Sequence, residues 1–272
     1  MNATAPLRRV LVRHPPADCS DWGRYRWRAE QDAARLAAEH EAFCGVLEAA
    51  SADVVVATAT TLDAIYTYDP ALIADSGAVL LRPGKEERLG EVDQLAEDLE
   101  DAGVPVVAAL DAPAVAEGGD FFWLSPDVLC AGLGYRTSAA GIHALKDLLE
   151  VDVLAFDLPH LHGPESCLHL LSLLSPLADD LVVAYAPLLP VRLAQLLAEL
   201  GIQVVEVPDD EFATLGPNVL ALAPRVGLVP EHNVETRRRL EAARVDIAVY
   251  RAEELSKGEG GPTCLTLPLL RG

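Results

Sequence analysis

Apolar positions along the chain switch between two spacings, one of about 3.6 residues and one of two, and the switch occurs five times. The longer spacing predicts amphipathic helices over approximately 28–50, 91–102, 138–150, 190–200 and 233–244. Each is followed within a few residues by a short β-branched run, at 53–57, 105–108, 152–156, 203–207 and 246–250. Further apolar runs, at 78–81, 121–124, 181–184 and 218–222, lie between one such strand and the next helix. Each unit therefore reads roughly as strand, strand, helix, strand, in an α/β chain. Repeats of this size bury their apolar faces against neighbouring copies, and five of them suggest a closed ring. An ordinary doubly wound α/β sheet also alternates helix and strand. Against it, no G-x-G-x-x-G or Walker glycine loop follows the first strand, and the β-rich segments between helices are long for simple crossovers. No linker divides the units, so residues 1–272 are expected to form a single domain.

Composition narrows the function without naming it. An apolar content of 51% suffices for a large core, and no apolar run approaches the length needed to span a bilayer. The first residues lack a signal core, which leads to the expectation of a cytoplasmic protein with no membrane association. Five scattered cysteines without CxxC spacing disfavour a disulfide framework or a zinc ribbon. A net charge of −21 argues against nucleic acid as a partner and favours a small cationic ligand. A symmetric homodimer is the default for assembly.

Candidate chemistry falls after each recurring strand: Asp63, Glu117, the Leu168-His169-Leu170 segment, Asn218 and Cys264. If the units surround one axis, these equivalent positions converge. Cys264 follows Gly260-Gly261-Pro262-Thr263, where glycines let backbone approach a ligand closely. Glu117 stands in Ala116-Glu117-Gly118-Gly119-Asp120. Cys264, His169 and Glu117 together supply a thiol nucleophile, a proton-transfer group and an acceptor for positive charge. Asp63 and Glu117 as paired carboxylates suit a guanidinium, a planar cation with several N–H donors. His160 and His162 are read as loop residues. No metal and no cofactor are expected, since neither a CxxC pair nor an H-E-x-x-H helix accompanies the histidines.

The runs Tyr68-Asp69-Pro70, Leu81-Arg82-Pro83-Gly84-Lys85-Glu86-Glu87-Arg88, Glu117-Gly118-Gly119-Asp120, Gly132-Leu133-Gly134-Tyr135-Arg136-Thr137, Leu168-His169-Leu170 and Gly260-Gly261-Pro262-Thr263-Cys264 occur in this order along nearly the whole chain. In this arrangement the sequence resembles the guanidine-modifying pentein superfamily, and within it the dimethylarginine dimethylaminohydrolase (dimethylargininase) family. The resemblance implies a five-bladed α/β propeller of ββαβ-like repeats with pseudo-fivefold symmetry. It implies that Cys264 attacks the guanidinium carbon, that His169 moves protons and that Glu117 holds the guanidinium. Asp63 resembles a second guanidinium-binding carboxylate, Asp69 a structural or pocket-lining acid, and Arg88 and Arg136 the arginines that hold the α-carboxylate of an amino-acid substrate. The implied reaction converts an Nω-methylated arginine, dimethylarginine first, to citrulline and dimethylamine through a covalent thiouronium. The sequence His169-Leu170-Leu171 lacks the second carboxylate that arginine deiminases and amidinotransferases carry in an H-x-D motif. The Gly-Gly-Pro-Thr-Cys approach is reminiscent of those same enzymes, so arginine deiminase or dihydrolase activity and amidino transfer stay open. A non-catalytic binding module on the same scaffold is the remote alternative, disfavoured by the joint presence of Cys264, His169 and Glu117.

Overall fold

The computed structural model describes residues 2–164 and 166–272. The chain begins with β1 (Leu7–His14), α1 (Ala33–Ala49) and β2 (Asp53–Thr58). Four units of a single plan follow. The first comprises β3 (Ala71–Ala74), β4 (Gly77–Leu80), α2 (Glu91–Asp101) and β5 (Val106–Ala109); the second comprises β6 (Phe121–Ser125), β7 (Val128–Leu133), α3 (Ala139–Leu149) and β8 (Asp152–Asp157). The third comprises β9 (Leu174–Ala178), β10 (Leu181–Ala184), α4 (Val191–Glu199) and β11 (Gln203–Glu206). A one-turn helix α5 (Asp209–Phe212) leads into β12 (Leu220–Ala223), β13 (Val226–Pro230), α6 (Val234–Ala242) and β14 (Asp246–Tyr250), and β15 (Leu267–Arg271) ends the order.

Among the described residues these strands make five three-stranded sheets. In each, the middle strand pairs antiparallel with one neighbour and parallel with the strand that returns from the helix, as β4 does with β3 and β5. The middle strands β4 and β10 are covered on both faces and read as unbroken apolar runs, every residue buried. The first sheet is assembled from both ends of the sequence, with β1 antiparallel to β15 and parallel to β2.

Side chains alternate between the faces of each strand, so one sheet feeds two cores. Val10 and Val12 pack with Leu220 and Leu228 of the β12–β14 sheet, whereas the intervening Leu11 packs with Ile73 and Leu80 of the β3–β5 sheet. Phe121 and Trp123 face Leu72 and Val79, while Phe122 faces Leu171 and Val182. Leu177 and Val183 meet Val219 and Val229 in a fifth cluster. Helices close these cores from outside through residues such as Leu95, Leu145, Leu193 and Leu240.

The expected helices and recurring strands form at their predicted places, with one displaced boundary. The first helix starts at residue 33 rather than 28, because the Asp32 side chain accepts the backbone N–H groups of Ala34 and Arg35 and caps it. Residues before it are drawn to the C-terminal loop instead, through Arg28 N to Lys257 O and Asp32 N to Glu254 Oε2. No described helix is long and apolar enough to cross a membrane.

Candidate active site

One point in the repeat recurs five times, the turn just before the strand that pairs antiparallel with the middle strand. Asp69 precedes β3, Glu117 precedes β6, His169 precedes β9, Asn218 precedes β12 and Cys264 precedes β15. Single turns of 3-10 helix intervene after Glu117 and His169, and place both residues in extended backbone at the turn's start. Asp63 opens a further 3-10 turn after β2. The sequence reading placed Asp63 in this series, but Asp69 holds the equivalent position, because it stands directly before β3 while Asp63 lies one turn earlier in the chain.

Asp63, Asp69, Arg88, Arg136, His169, Asn218 and Cys264 all line one cavity of about 210 Å³. Glu117 lies behind that wall rather than on it. Its side chain is fully buried, and it accepts from Gly84 N at 2.8 Å and from Arg136 Nη1 at 3.1 Å. Its other oxygen meets His169 Nε2 at 2.6 Å. Burial opposes ionisation of Glu117, but the His169 hydrogen bond and the Arg136 charge outweigh it and hold the carboxyl well below the usual range. Burial likewise opposes a charged His169. Interactions with Cys167, Asp69 and Asp120 overcome that and raise the imidazole well above its ordinary value. His169 therefore stands as the proton-loaded partner of an ionised Glu117.

Close backbone packing makes this pair possible. A Cβ on Gly119 would overlap His169 Nδ1, so the second glycine of Glu117-Gly118-Gly119-Asp120 leaves the space in which the imidazole sits. Asp120 ties the far side by accepting Leu170 N at 2.9 Å, and burial pushes its carboxyl up to about 6.

The wall carboxylates Asp63 and Asp69 are already partnered. Asp69 accepts from Arg88 Nη1 at 2.6 Å and from Gly119 N at 3.1 Å. Asp63 accepts the Trp27 indole N–H at 2.7 Å and forms a buried ion pair with Lys85, whose ammonium also donates to Tyr25 O at 2.7 Å. Arg88 is committed elsewhere in the wall, to Glu91 Oε2 at 2.9 Å and Tyr66 O at 2.8 Å as well as to Asp69. Arg136 is engaged with Glu117. Both arginines reach the cavity, Arg88 bonded to the wall carboxylate Asp69 and Arg136 to Glu117 behind the wall.

Cys264 is half-buried, and its thiol is pushed up to about 12, chiefly by burial and then by Asp69, with the Gly261 backbone and His169 acting the other way. Asn218 Nδ2 approaches its sulfur at 3.5 Å. A second thiol, Cys167, lies 3.8 Å from His169 Nδ1. Donor atoms of Asp69, Glu117 and His169 fall within 4.8 Å of one another, close enough to share a cation. Arg88 and Arg136 already bring positive charge to those two carboxylates, which works against a divalent ion joining them. His160 is exposed and bonds Tyr135 Oη at 2.7 Å, and His162 lines the cavity from the same loop.

Sequence reasoning missed Trp27, Lys85, Glu91 and Cys167. A signal existed for the first: Trp22, Tyr25 and Trp27 crowd into six residues of a chain with 5% aromatics. Lys85 and Glu91 lie beside Arg88 in a charged run, where spacing alone does not distinguish buried partners from a solvated face.

The chain is similar to known proteins in sequence and in fold. A family model described as arginine deiminase matches residues 98–191 and 186–271. Curated relatives include the arginine deiminase of Rhodococcus erythropolis, 30% identical over 189 residues, which are 58% of this chain and 47% of that protein. That of Mycobacterium avium is 29% identical over 188 residues, again covering 58% and 47%. The chain thus spans about half the length of these relatives. Among solved structures, the N-terminal domain of ArgZ, an arginine dihydrolase from cyanobacteria, bound to product, superposes with a TM-score of 0.85 at 20% identity, covering 97% of each chain. Dimethylarginine dimethylaminohydrolase from Pseudomonas aeruginosa, a cysteine-to-serine variant complexed with citrulline, superposes at 0.79 and 20% identity over 96% of this chain and 99% of that one.

Proposed function

The chain belongs to the arginine deiminase family, and from that premise we propose that it hydrolyses the guanidinium group of an arginine-type amino acid. The observation that carries this reading is the shared cavity wall of Cys264, His169, Asp63 and Asp69, backed by the 2.6 Å contact of His169 with Glu117. Cys264 releases its thiol proton to solvent as the cation binds, and the thiolate Sγ adds to the guanidinium carbon. The amine leaves with a proton from His169, which the surrounding negative charge keeps loaded for that step. A thiouronium on Cys264 remains. Water, giving its proton to His169, then adds to that carbon and the thiol departs, leaving citrulline. Asp63 and Asp69 present carboxylates to the planar cation. Glu117 orients His169, and Arg88 and Arg136 fix the carboxylates and face the α-carboxylate end of the substrate.

Dimethylarginine is the first substrate proposed, since the chain reads His169-Leu170-Leu171 and lacks the second carboxylate of an H-x-D motif. The names of the curated relatives favour free arginine as the second reading. The scaffold proposed is one domain over residues 1–272, its five sheets closed into a propeller. Support for closure comes from each sheet sharing cores with two others, the first and last included.

The test is incubation with asymmetric dimethylarginine, monomethylarginine, arginine and agmatine, with citrulline-type product and released amine measured beside the Cys264→Ser variant. Turnover of at least one substrate, abolished in the variant, is expected. Turnover of none, or turnover indifferent to the thiol, overturns the reading.

A further inference from the structure

Asn218 is buried two residues before β12, and its carboxamide is fixed at both ends. Oδ1 accepts Thr263 N at 3.0 Å, next in sequence to the cysteine. Nδ2 then faces Leu171 O at 3.4 Å and Cys264 Sγ at 3.5 Å. Flipping the amide would point a carbonyl at the sulfur and lose the Thr263 bond, so this orientation is determined by the network. Gly261 supplies the room, because a Cβ there would overlap Asn218 Oδ1. The Asn218 backbone is held in turn by its N–H to Leu215 O at 3.0 Å.

The sulfur has few neighbours that welcome negative charge. Asp69 and Cys167 oppose it, and Tyr66, Tyr68 and Tyr250 sense it from the surrounding turns and strands. His169 supplies a favourable charge and Gly261 a backbone N–H. An aimed side-chain amide adds stabilisation that neither of them duplicates.

We propose that Asn218 is the oriented donor for the attacking Cys264 sulfur: its Nδ2–H stabilises the thiolate, while its Oδ1 sets the sulfur's direction through Thr263. The inference rests on Cys264 being the nucleophile, and it adds a residue to that reaction. Asn218→Ala and Asn218→Asp test it through the rate of iodoacetamide alkylation of Cys264, followed by mass spectrometry of its peptide from pH 7 to 9.5, with kcat and KM measured in parallel. Losing one hydrogen bond to a charged atom moves a thiol by about one pKa unit. Alkylation of Asn218→Ala is therefore expected to be about tenfold slower at each pH below the thiol pKa, with kcat reduced similarly and KM nearly unchanged. Asn218→Asp is isosteric and still accepts Thr263 N, but it replaces the donor with a negative charge. It is expected to be slower still. Alkylation of Asn218→Asp at the wild-type rate overturns the proposal, as does a loss of kcat in either variant with thiol reactivity unchanged. If Asn218→Ala fails to fold, the isosteric variant decides alone. Because alkylation needs no substrate, failure of the parent protein to turn over any guanidine would leave these rate ratios readable and would sink only the function.

Discussion

His169 Nε2 meets Glu117 Oε2 at 2.6 Å with neither side chain open to solvent. Arg136 closes on the same carboxylate from its other oxygen at 3.1 Å. The pair is thus both a proposed catalytic element and a stability element, and its two roles have different pH dependences.

For stability the signs are opposite for the two partners. His169 is raised, so its contribution is complete below the ordinary imidazole value of about 6.5 and is lost as pH rises through the folded value. Glu117 is lowered, so its contribution is present above the ordinary carboxylate value of about 4.3 and is lost as pH falls through the folded value. The pair stabilises most between about pH 4.5 and 6.5. Thermal unfolding of the parent protein and of His169→Gln should differ most in that window and converge on the alkaline side. A difference independent of pH from 5 to 10 would show that the pair is not ionised in the folded state.

The Cys264 thiol, pushed up to about 12, is neutral in the empty protein at pH 7. Alkylation at that position should accelerate about tenfold per pH unit through the neutral range, in proportion to the thiolate fraction. A guanidinium ligand should raise the rate at pH 7, because a cation beside the sulfur lowers its pKa. An alkylation rate indifferent to ligand would count against activation of the thiol by its own substrate.

Gly119→Ala places a methyl group against His169 Nδ1 and 3.0 Å from Asp69 Oδ1. Overpacking of this kind costs about 1–3 kcal/mol, and here the imidazole is what must yield. The variant should fold with a reduced melting temperature and lose at least about tenfold in kcat, since small misplacements of a reacting group are expensive. Full activity would place His169 outside the chemistry.

Lys85→Met removes the ammonium that occupies Asp63 and leaves that carboxylate with the Trp27 N–H. Breaking a buried ion pair is destabilising by about 3–5 kcal/mol. A cationic ligand would then meet an unpaired carboxylate, so agmatine or arginine should bind more tightly and raise the melting temperature more than in the parent protein. Weaker binding would mean that Lys85 assists recognition instead of competing with it. Calorimetric titration separates the two.

Local periodicity carried much of the fold in advance. Helices and returning strands could be placed because their apolar spacing is regular, and the recurring turn followed from the repeat. The β1–β15 pairing was not readable, since it joins residues such as Val10 and Pro268 from opposite ends of the sequence and leaves no local pattern. The same distinction holds in the site. Glu117 and Cys264 stood out by residue type and neighbouring glycines, Asp63 and His169 by residue type and their place after a recurring strand. That Glu117 lies behind His169, and that Asp63 is matched by Lys85, depends on side-chain directions that spacing does not encode.

The antiparallel pairing of β1 with β15 also sets an order of assembly during synthesis. Asp63, Glu117, His169 and Asn218 all leave the ribosome before Cys264, and the proposed nucleophile emerges only just ahead of the strand that completes the first sheet. Closing β15 onto β1 joins segments separated by nearly the whole sequence, the contact with the greatest loop entropy to overcome. Cys264 therefore meets its partners at about the moment β1 acquires β15 as its antiparallel neighbour.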